Sequence, residues 1–283
     1  MTIQQLLSDI RISLRPLYDE REAAAVASWY VCVRLGMERY ELALRGQEEV
    51  DAAKMAEIER EVEKLRTGCP VQYVLGETEF YGLSFKVSPA VLIPRPETEE
   101  LVQMVVDRYA RKAAKIWDVG TGSGCIAVSL AKMLPDAEVY ATDISEAALA
   151  VAAQNAENNG VKVTFARHDM TDAEHLPFGG DPVDVIVSNP PYIPVADRAT
   201  MHRNVVDYEP ETALFVPDDD KFLYYAALAH LSRRALKPAG GVFVETYHDF
   251  HEELMALFES EGFGNVRSFR DLNGRLRFLA ATR

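Results

Sequence analysis

The stretch KIWDVGTGSG, residues 115–124, combines strand-forming residues with a glycine-rich turn and opens an apolar helical pattern. Gly120, Gly122 and Gly124 alternate with Thr121 and Ser123. Glycine lets the backbone turn sharply and approach a ligand closely, and the amide groups at the start of the next helix face that ligand. The spacing matches neither the dinucleotide fingerprint nor the P-loop. The stretch therefore predicts a strand, a turn that either binds a ligand or only reverses the chain, and a helix.

The same alternation of strand and helix continues through the rest of the chain. The predicted strands are KIWDV (115–119), AEVYATD (137–143), VKVTFA (161–166), VDVIVS (183–188) and GGVFVE (240–245), followed by 265–269 and 276–281. The helical patterns lie near 123–134, 145–159, 221–236 and 250–261. Strand-helix alternation predicts an α/β fold with a mostly parallel sheet, and the two late strands without a helix between them predict one antiparallel strand near the end.

Different patterns precede this α/β part. Residues 1–75 carry apolar residues at helical spacing, as in Ile3, Leu6, Ile10 and Leu14, which predicts a helical bundle. Residues 76–94 are rich in aromatic and β-branched side chains around glycines, which predicts a β-hairpin linker. We therefore expect three parts, 1–75, 76–94 and 95–283.

Acidic and apolar side chains follow the second and third predicted strands of the α/β part. A carboxylate at Asp143 can accept hydrogen bonds from two vicinal ribose hydroxyls, whereas Ser145 beside it is a helix N-cap candidate. Asp169 can accept from the amine of an adenine ring, and Met170 can cover the face of that ring. An ordinary solvated turn is the alternative for Asp169.

Asn189, Pro190, Pro191 and Tyr192 directly follow the fourth strand, at the sheet edge where open α/β sheets bind ligands. The two prolines stiffen the segment and fix the direction of its carbonyl groups. The side-chain oxygen of Asn189 and the carbonyl of Pro190 provide two acceptors for a planar NH2 group, and Tyr192 offers a flat face. A strand-ending loop stiffener is the alternative interpretation.

Two acceptors beside an NH2 group suit methyl transfer to an amide nitrogen, because they can favour pyramidalisation and free its lone pair. The electrophile would be the methyl group on the sulfonium of S-adenosylmethionine, held by residues 120–124 and Asp143. Such positioning can remove roughly 7–11 kcal/mol, at the upper limit, from a barrier between two reactants.

With these motifs combined, the chain resembles class I S-adenosylmethionine-dependent methyltransferases with an NPPY motif. More closely, it is similar to the family that methylates the glutamine side-chain amide in peptide-chain release factors. The resemblance includes PVQYVLGETEFYGLSFKVSPAVLIPRPETEELV (70–102), DVGTGSG, VSNPPYIP and YEPETALF (208–215). At Met170, where members often carry an aromatic residue, this chain departs from the pattern.

The resemblance implies a cofactor loop at Gly120–Gly124, adenosine contacts from Asp143 and around Met170, and cofactor and substrate contacts from Asn189. The implied substrate is the glutamine of the Gly-Gly-Gln loop of release factors, with the N-terminal bundle helping to dock that protein. Arg95 either organises the cofactor entrance or pairs with Glu97 or Glu99.

Composition adds weaker constraints. The 283 residues carry a formal charge of −14, which disfavours binding to a phosphate backbone, although a local basic patch is compatible with it. We therefore expect no direct nucleic-acid binding. No signal peptide and no membrane span are predicted, so the expected location is the cytoplasm. The three cysteines are odd in number and far apart, which favours reduced thiols over a disulfide framework. No set of histidines has the number of ligands that a metal site needs.

Two other functions compete with that of a release factor methyltransferase. An enzyme acting on the exocyclic amine of adenine in DNA or RNA would meet the same planar NH2 group, but it must also extrude the base and hold phosphates. A non-catalytic S-adenosylmethionine-binding scaffold would have no use for the two amide acceptors at Asn189 and Pro190. At the loop entrance, Asp118 is expected either to bond the loop or to reach a cationic ligand group.

Overall fold

A computed structural model describes residues 1–283, and the chain divides into two compact units. The helical unit contains Met1–Glu77 and His202–Tyr208, and the α/β unit contains Thr78–Met201 and Glu209–Arg283. In chain order the helices are α1 (Ile3–Leu14), α2 (Glu20–Leu35), α3 (Glu41–Leu44), α4 (Ala52–Arg66), α5 (Val71–Leu75), α6 (Pro96–Tyr109), α7 (Cys125–Met133), α8 (Glu146–Asn158), α9 (Arg203–Val206), α10 (Leu223–Ala235) and α11 (His251–Ser260). No helix is long and apolar enough to cross a membrane.

Eleven strands accompany these helices. They are β1 (Glu77–Phe80), β2 (Leu83–Lys86), β3 (Lys115–Val119), β4 (Glu138–Asp143), β5 (Thr164–Arg167), β6 (Val183–Ser188), β7 (Ile193–Pro194), β8 (Phe215–Val216), β9 (Leu236–Glu245), β10 (Gly264–Arg270) and β11 (Leu276–Thr282). A two-residue turn joins β1 to β2, with positive φ at Tyr81 and Gly82, as the mirror-image turns of hairpins require.

The helical unit is held by an apolar core and by a segment from later in the chain. Ile3, Leu6, Ile10 and Leu14 of α1 are all buried, as their spacing predicts. Residues 202–208, which the sequence placed in the α/β part, pack in this unit instead. The His202 ring stacks on Tyr18 with the centroids 5.4 Å apart, and the Tyr208 hydroxyl donates to the Thr67 carbonyl at 2.9 Å.

The α/β unit is built on a seven-stranded sheet of order β10-β11-β9-β6-β3-β4-β5. Strand β11 is antiparallel to both of its neighbours, and the pairs β9-β6, β6-β3, β3-β4 and β4-β5 are parallel. The predicted α/β class, with one antiparallel strand near the end of the chain, is confirmed. Apolar side chains of β3 and β6 form the buried centre, including Ile116, Val185 and Val187.

The strand order reverses next to β3, and this reversal positions the site. The chain runs from β3 outward to β4 and β5, and then returns to β6 on the other side of β3. Asp118 of β3 pairs in register with Val187 of β6, so Gly120 and Asn189 each follow two residues beyond the same paired position. The glycine loop and the NPPY segment therefore leave neighbouring strands at the carboxyl edge, where such sheets bind ligands.

Candidate active site

A cavity of about 260 Å³ opens at the carboxyl ends of the parallel strands. This volume is near the lower end of small-molecule sites, about 300 Å³. Its walls come from the segment that leads into α6 and the first turn of that helix, the glycine loop and the start of α7, the ends of β4 and β5 with the start of α8, and the residues after β6. They include Leu92, Arg95, Thr98, Gly120, Thr121, Gly122, Ser123, Asp143, Ile144, Ala148, His168, Asp169, Met170, Asn189, Pro191, Pro210 and Tyr224.

The glycine loop is tied to the end of β4. The amides of Gly120 and Thr121 both donate to the Thr142 carbonyl at 2.9 Å, and all three loop glycines have positive φ. Gly120, Thr121, Gly122 and Ser123 line the cavity. This arrangement exposes loop backbone to the cavity.

Gly124 has a different role from the rest of the loop, because it does not line the cavity. A Cβ added there would lie 2.9 Å from the Cβ of Ala152 in α8, and φ is +80°. The residue therefore allows the start of α7 to pack closely against α8. Its glycine is required by helix packing and by backbone conformation.

Asp143 lies at the cavity wall and also supports the loop. One carboxylate oxygen accepts from the Gly122 amide at 2.8 Å, and the other accepts from the Ser145 amide at 2.9 Å. Each carboxylate oxygen has a second lone pair that can accept from a ligand hydroxyl. Ser145 acts as the N-cap of α8, since its hydroxyl accepts from the Ala148 amide at 3.2 Å.

Asp169 and Met170 also line the cavity. Asp169 forms a local turn, in which Oδ1 accepts from both the amide and the hydroxyl of Thr171, at 2.9 and 2.7 Å. The terminal methyl of Met170 lies against the glycine loop, because a Cβ added at Gly120 would be 3.2 Å from it. The neighbouring His168 donates from Nε2 to the Asp172 carbonyl at 2.9 Å and lines the cavity as well.

Asp118 is completely buried beneath the loop. Its Oδ2 accepts from the Thr121 hydroxyl at 2.6 Å and from the Ala127 amide at 3.2 Å, whereas Oδ1 has no hydrogen-bond partner. Burial raises the pKa of this carboxyl from 3.8 to about 7, and the charge of Asp143 acts in the same direction. Of the two roles considered for Asp118, the structure shows the bonds to the loop.

The structure divides the NPPY residues between the cavity and the protein interior. Asn189 and Pro191 line the cavity, and Pro190 is buried. Tyr192 is half-buried, and its hydroxyl donates to Oε1 of Glu245 at 3.1 Å. Neither Pro190 nor Tyr192 belongs to the cavity wall. Asn189 is therefore the residue of this motif whose side-chain hydrogen-bonding atoms reach the cavity.

Two buried residues that the sequence did not single out lie behind this motif. The amide nitrogen of Asn189 donates to the Thr98 hydroxyl at 3.2 Å, and that hydroxyl donates to Oε2 of Glu245 at 2.7 Å. Burial raises the pKa of both Glu245 and Tyr192. A detectable signal existed for Glu245, since an acid ends the otherwise apolar run GGVFVE on the strand next to β6.

Arg95 makes an ion pair that the sequence did not predict. Its guanidinium donates to Oε1 of Glu209 at 2.6 Å, so the expected pairing with Glu97 or Glu99 is wrong. Glu99 instead accepts from the backbone amide of Tyr81 at 2.8 Å. Because Arg95 also lines the cavity, the ion pair fixes part of its wall.

The other histidines considered have structural surroundings. His251 is buried between the hydroxyls of Thr246 and Ser268, at 3.0 and 2.9 Å, and burial lowers its pKa. His248 lies near the surface beside Asp249. No group of three or more His, Cys, Asp or Glu side chains is arranged to hold a metal ion.

Known proteins resemble both parts of the chain. A family model described as a methyltransferase domain matches residues 110–271, and one described as the PrmC N-terminal domain matches residues 5–76. A release factor glutamine methyltransferase from Bacteroides thetaiotaomicron is 40% identical over 281 residues, covering 99% of this chain and 100% of that protein. The one from Flavobacterium psychrophilum is 37% identical over 285 residues, covering 99% and 98%.

Solved structures resemble the fold at much lower identity. A methyltransferase from Pyrococcus furiosus gives a TM-score of 0.52 at 16% identity and covers 82% of this chain and 98% of that one. The Thermus thermophilus 16S rRNA N2 G1207 methyltransferase, solved with AdoMet and guanosine, gives 0.54 at 19%, covering 73% and 49%. These similarities support the methyltransferase fold.

Proposed function

The chain belongs to the release factor glutamine methyltransferase family, and we propose that it methylates the glutamine of the Gly-Gly-Gln loop in a peptide-chain release factor. The methyl group would come from S-adenosylmethionine and pass to the side-chain amide nitrogen. The observation that carries the proposal is the placement of Asn189 in the wall of the same cavity as the glycine loop and Asp143.

The cavity residues fit S-adenosylmethionine. Asp143 keeps one lone pair on each oxygen for ribose hydroxyls after its bonds to Gly122 and Ser145. Ile144, Ala148 and Met170 provide an apolar surface for a purine ring. When bound, S-adenosylmethionine supplies an electrophilic methyl group on a sulfonium.

The NPPY segment would hold the substrate amide. In this proposal the side-chain oxygen of Asn189 would accept one N–H group at the cavity wall, and the backbone carbonyl of Pro190, a buried residue outside that wall, would accept the other. The nitrogen lone pair would then be free on the side of the methyl donor. Tyr192 contributes a rigid ring beside the planar amide, and its hydroxyl bond to Glu245 fixes that ring. No strong base is needed before attack, because the nitrogen becomes acidic once it is alkylated. The S–CH3 bond would break as the N–CH3 bond forms, S-adenosylhomocysteine would be the leaving group, and the proton lost from nitrogen would pass to water.

The substrate assignment draws support from the whole chain. The relatives named as release factor glutamine methyltransferases align over the helical unit as well as the α/β unit. We propose that the helical unit helps to dock the release factor. A formal charge of −14 favours a protein substrate over DNA or RNA, whose phosphates an acidic surface repels.

Transfer of a labelled methyl group tests this proposal. Purified full-length enzyme is incubated with labelled S-adenosylmethionine and, separately, with a release factor, the same factor with Gly-Gly-Glu in place of Gly-Gly-Gln, duplex DNA and structured RNA. We expect label only in the unaltered release factor. Label in nucleic acid alone would replace this function with adenine methylation, and binding of S-adenosylmethionine without any transfer would favour a scaffold.

A further inference from the structure

A chain of hydrogen bonds leads from the cavity wall into the core of the α/β unit. The side-chain NH2 of Asn189 donates to Oγ1 of Thr98 at 3.2 Å, and the Thr98 hydroxyl donates to Oε2 of Glu245 at 2.7 Å. Thr98 and Glu245 are both buried, with 2% and 1% of their surfaces exposed. The bond between these two residues is therefore shielded from water that could substitute for a missing partner.

The chemistry of the three groups fixes the direction of this chain. Both oxygens of Glu245 accept, Oε2 from Thr98 and Oε1 from Tyr192, so the single hydroxyl hydrogen of Thr98 is used on Glu245. The Thr98 oxygen can then only accept, which means that the atom of Asn189 facing it must be the NH2 group. The carbonyl oxygen of the Asn189 amide is consequently left on the other side.

Glu245 also restrains the second residue of the motif. Its other oxygen, Oε1, accepts from the Tyr192 hydroxyl at 3.1 Å, and the Arg277 guanidinium lies 3.9 Å from that same oxygen. Arg277 is itself held by Asp271 through a 2.8 Å bond. One buried carboxylate thus contacts Tyr192 directly and Asn189 through Thr98. Burial raises the pKa of Glu245, and the charge of Arg277 opposes that shift.

We propose that Thr98 and Glu245 are positioning residues that fix the Asn189 amide with its oxygen, and not its NH2 group, toward the substrate. This inference rests on the proposed function, in which that oxygen accepts an N–H of the substrate amide. If the Asn189 amide rotated, its NH2 group would face the N–H of the substrate amide, and its oxygen could no longer accept from that N–H. The residues act through Asn189 and Tyr192 and do not contact the reacting atoms.

Thr98→Val tests the proposal, because valine keeps the shape of threonine and removes the hydroxyl. We expect single-turnover kcat on the release factor to fall between about 10-fold and 100-fold, as for other small losses of alignment. The Kd for S-adenosylmethionine should stay near the wild-type value. Thr98→Ser, which retains the hydroxyl, should restore most of the rate, and Glu245→Gln should lower it, because an amide can donate to Thr98 and reverse the chain.

Thr78→Val is the matched control, because Thr78 is a buried threonine on β1 that lies outside the cavity wall. It should keep wild-type kcat. A wild-type rate for Thr98→Val would overturn the proposal. A loss that Thr98→Ser does not restore would also overturn it, since packing alone would then explain the effect.

A readout without the release factor separates this proposal from the proposed function. In ¹⁵N-labelled protein, the side-chain NH2 signal of Asn189 is assigned by its disappearance in Asn189→Ala. We expect slow hydrogen exchange of this group in wild type and Thr98→Ser, and faster exchange in Thr98→Val. Equal exchange in all three would refute the positioning role even if the release factor is methylated, whereas absence of methylation by wild type would count against the proposed function alone.

Discussion

Arg95 and Glu209, which are 114 residues apart in the sequence, form an ion pair with a distance of 2.6 Å between Nη2 and Oε1. The second oxygen of Glu209 accepts from the backbone amide of Ile93 at 3.0 Å, and only 1% of the glutamate side chain is exposed. Arg95 and Pro210, on either side of this contact, both line the cavity. The pair therefore joins two loops that form one wall.

Glu209→Ala should destabilise the protein and weaken cofactor binding. The change leaves the Ile93 amide and the Arg95 guanidinium without their partner, which should cost about 2–3 kcal/mol of unfolding free energy. Urea unfolding and calorimetric titration with S-adenosylmethionine measure the two effects. Glu211→Ala is the control, because Glu211 is an exposed residue of the same segment that pairs with Arg198 at the surface. Equal stability of the two variants would contradict a supporting role for the Arg95 ion pair.

Asn189→Ala should remove methyl transfer and change cofactor binding only modestly. Loss of the side-chain oxygen takes away one of the two acceptors proposed for the substrate amide, and loss of one such preorganised group costs roughly 100-fold or more in rate. Single-turnover assays and calorimetry separate rate from binding. Asn158→Ala, on the exposed end of α8, should behave as wild type. If Asn189→Ala turned over at the wild-type rate, the acceptor role would be wrong.

Asp143→Ala should mainly weaken cofactor binding. The carboxylate supports the Gly122 and Ser145 amides and offers its remaining lone pairs to the cavity, so its removal disturbs both the loop and the ligand contacts. Calorimetric Kd for S-adenosylmethionine should rise at least tenfold, equivalent to about 1.4 kcal/mol. Asp136→Ala is the control, because it removes the same charge at an exposed residue. An unchanged Kd in Asp143→Ala would exclude the proposed contact between Asp143 and the cofactor.

Asp118 should make stability depend on pH. Because its pKa rises from 3.8 in an unfolded chain to about 7 in the fold, the native state binds the extra proton between those values. The associated stabilisation is complete below about pH 4 and is lost as the pH rises through about 7, with a size on the order of a few kcal/mol. Urea unfolding at pH 5 and pH 8 should therefore show a smaller pH difference in Asp118→Asn than in wild type. Ser129→Ala changes a buried residue that does not ionise, so it should keep the wild-type difference in unfolding free energy between the two pH values. The same difference in Asp118→Asn as in wild type would contradict the raised pKa.

Gly124→Ala should cost roughly 1–3 kcal/mol more unfolding free energy than Gly160→Ala. Both glycines have positive φ, +80° and +64°, so both changes carry backbone strain. A Cβ at Gly124 also meets Ala152 at 2.9 Å, whereas nothing lies within 4 Å of a Cβ at Gly160. The double variant Gly124→Ala with Ala152→Gly should recover part of the difference. Equal losses at the two positions would show that helix packing does not explain Gly124.

Local patterns were sufficient to predict the fold and the edge of the sheet that carries the cavity. Alternating strands and helices specify a mostly parallel sheet, whereas the order of the strands, with its reversal next to β3, comes from the structure. Asp143, Asp169 and Asn189 could be selected because each directly follows a predicted strand. Their surroundings in the structure agree with that placement, although their contacts with cofactor and substrate stay predictions.

Long-range partners could not be predicted in this way. Thr98 and Glu245 are 147 residues apart, and the bond between them depends on how α6 packs beside the end of β9. Arg95 has two acidic residues close by in sequence, yet its partner comes from a distant segment. A glycine at Gly124 looks like part of the ligand loop, and only three-dimensional packing shows its contact with Ala152.

The placement of residues 202–208 in the helical unit has a consequence for how the protein can be dissected. A truncated chain that begins at Thr78 keeps these seven residues but lacks Tyr18 and Thr67, the groups that hold His202 and Tyr208. The rings of His202 and Tyr208 would lose these partners, so such a fragment should be prone to aggregation. The two units are interlaced along the polypeptide, and an exchange of the N-terminal helices between homologous enzymes would have to exchange this short segment with them.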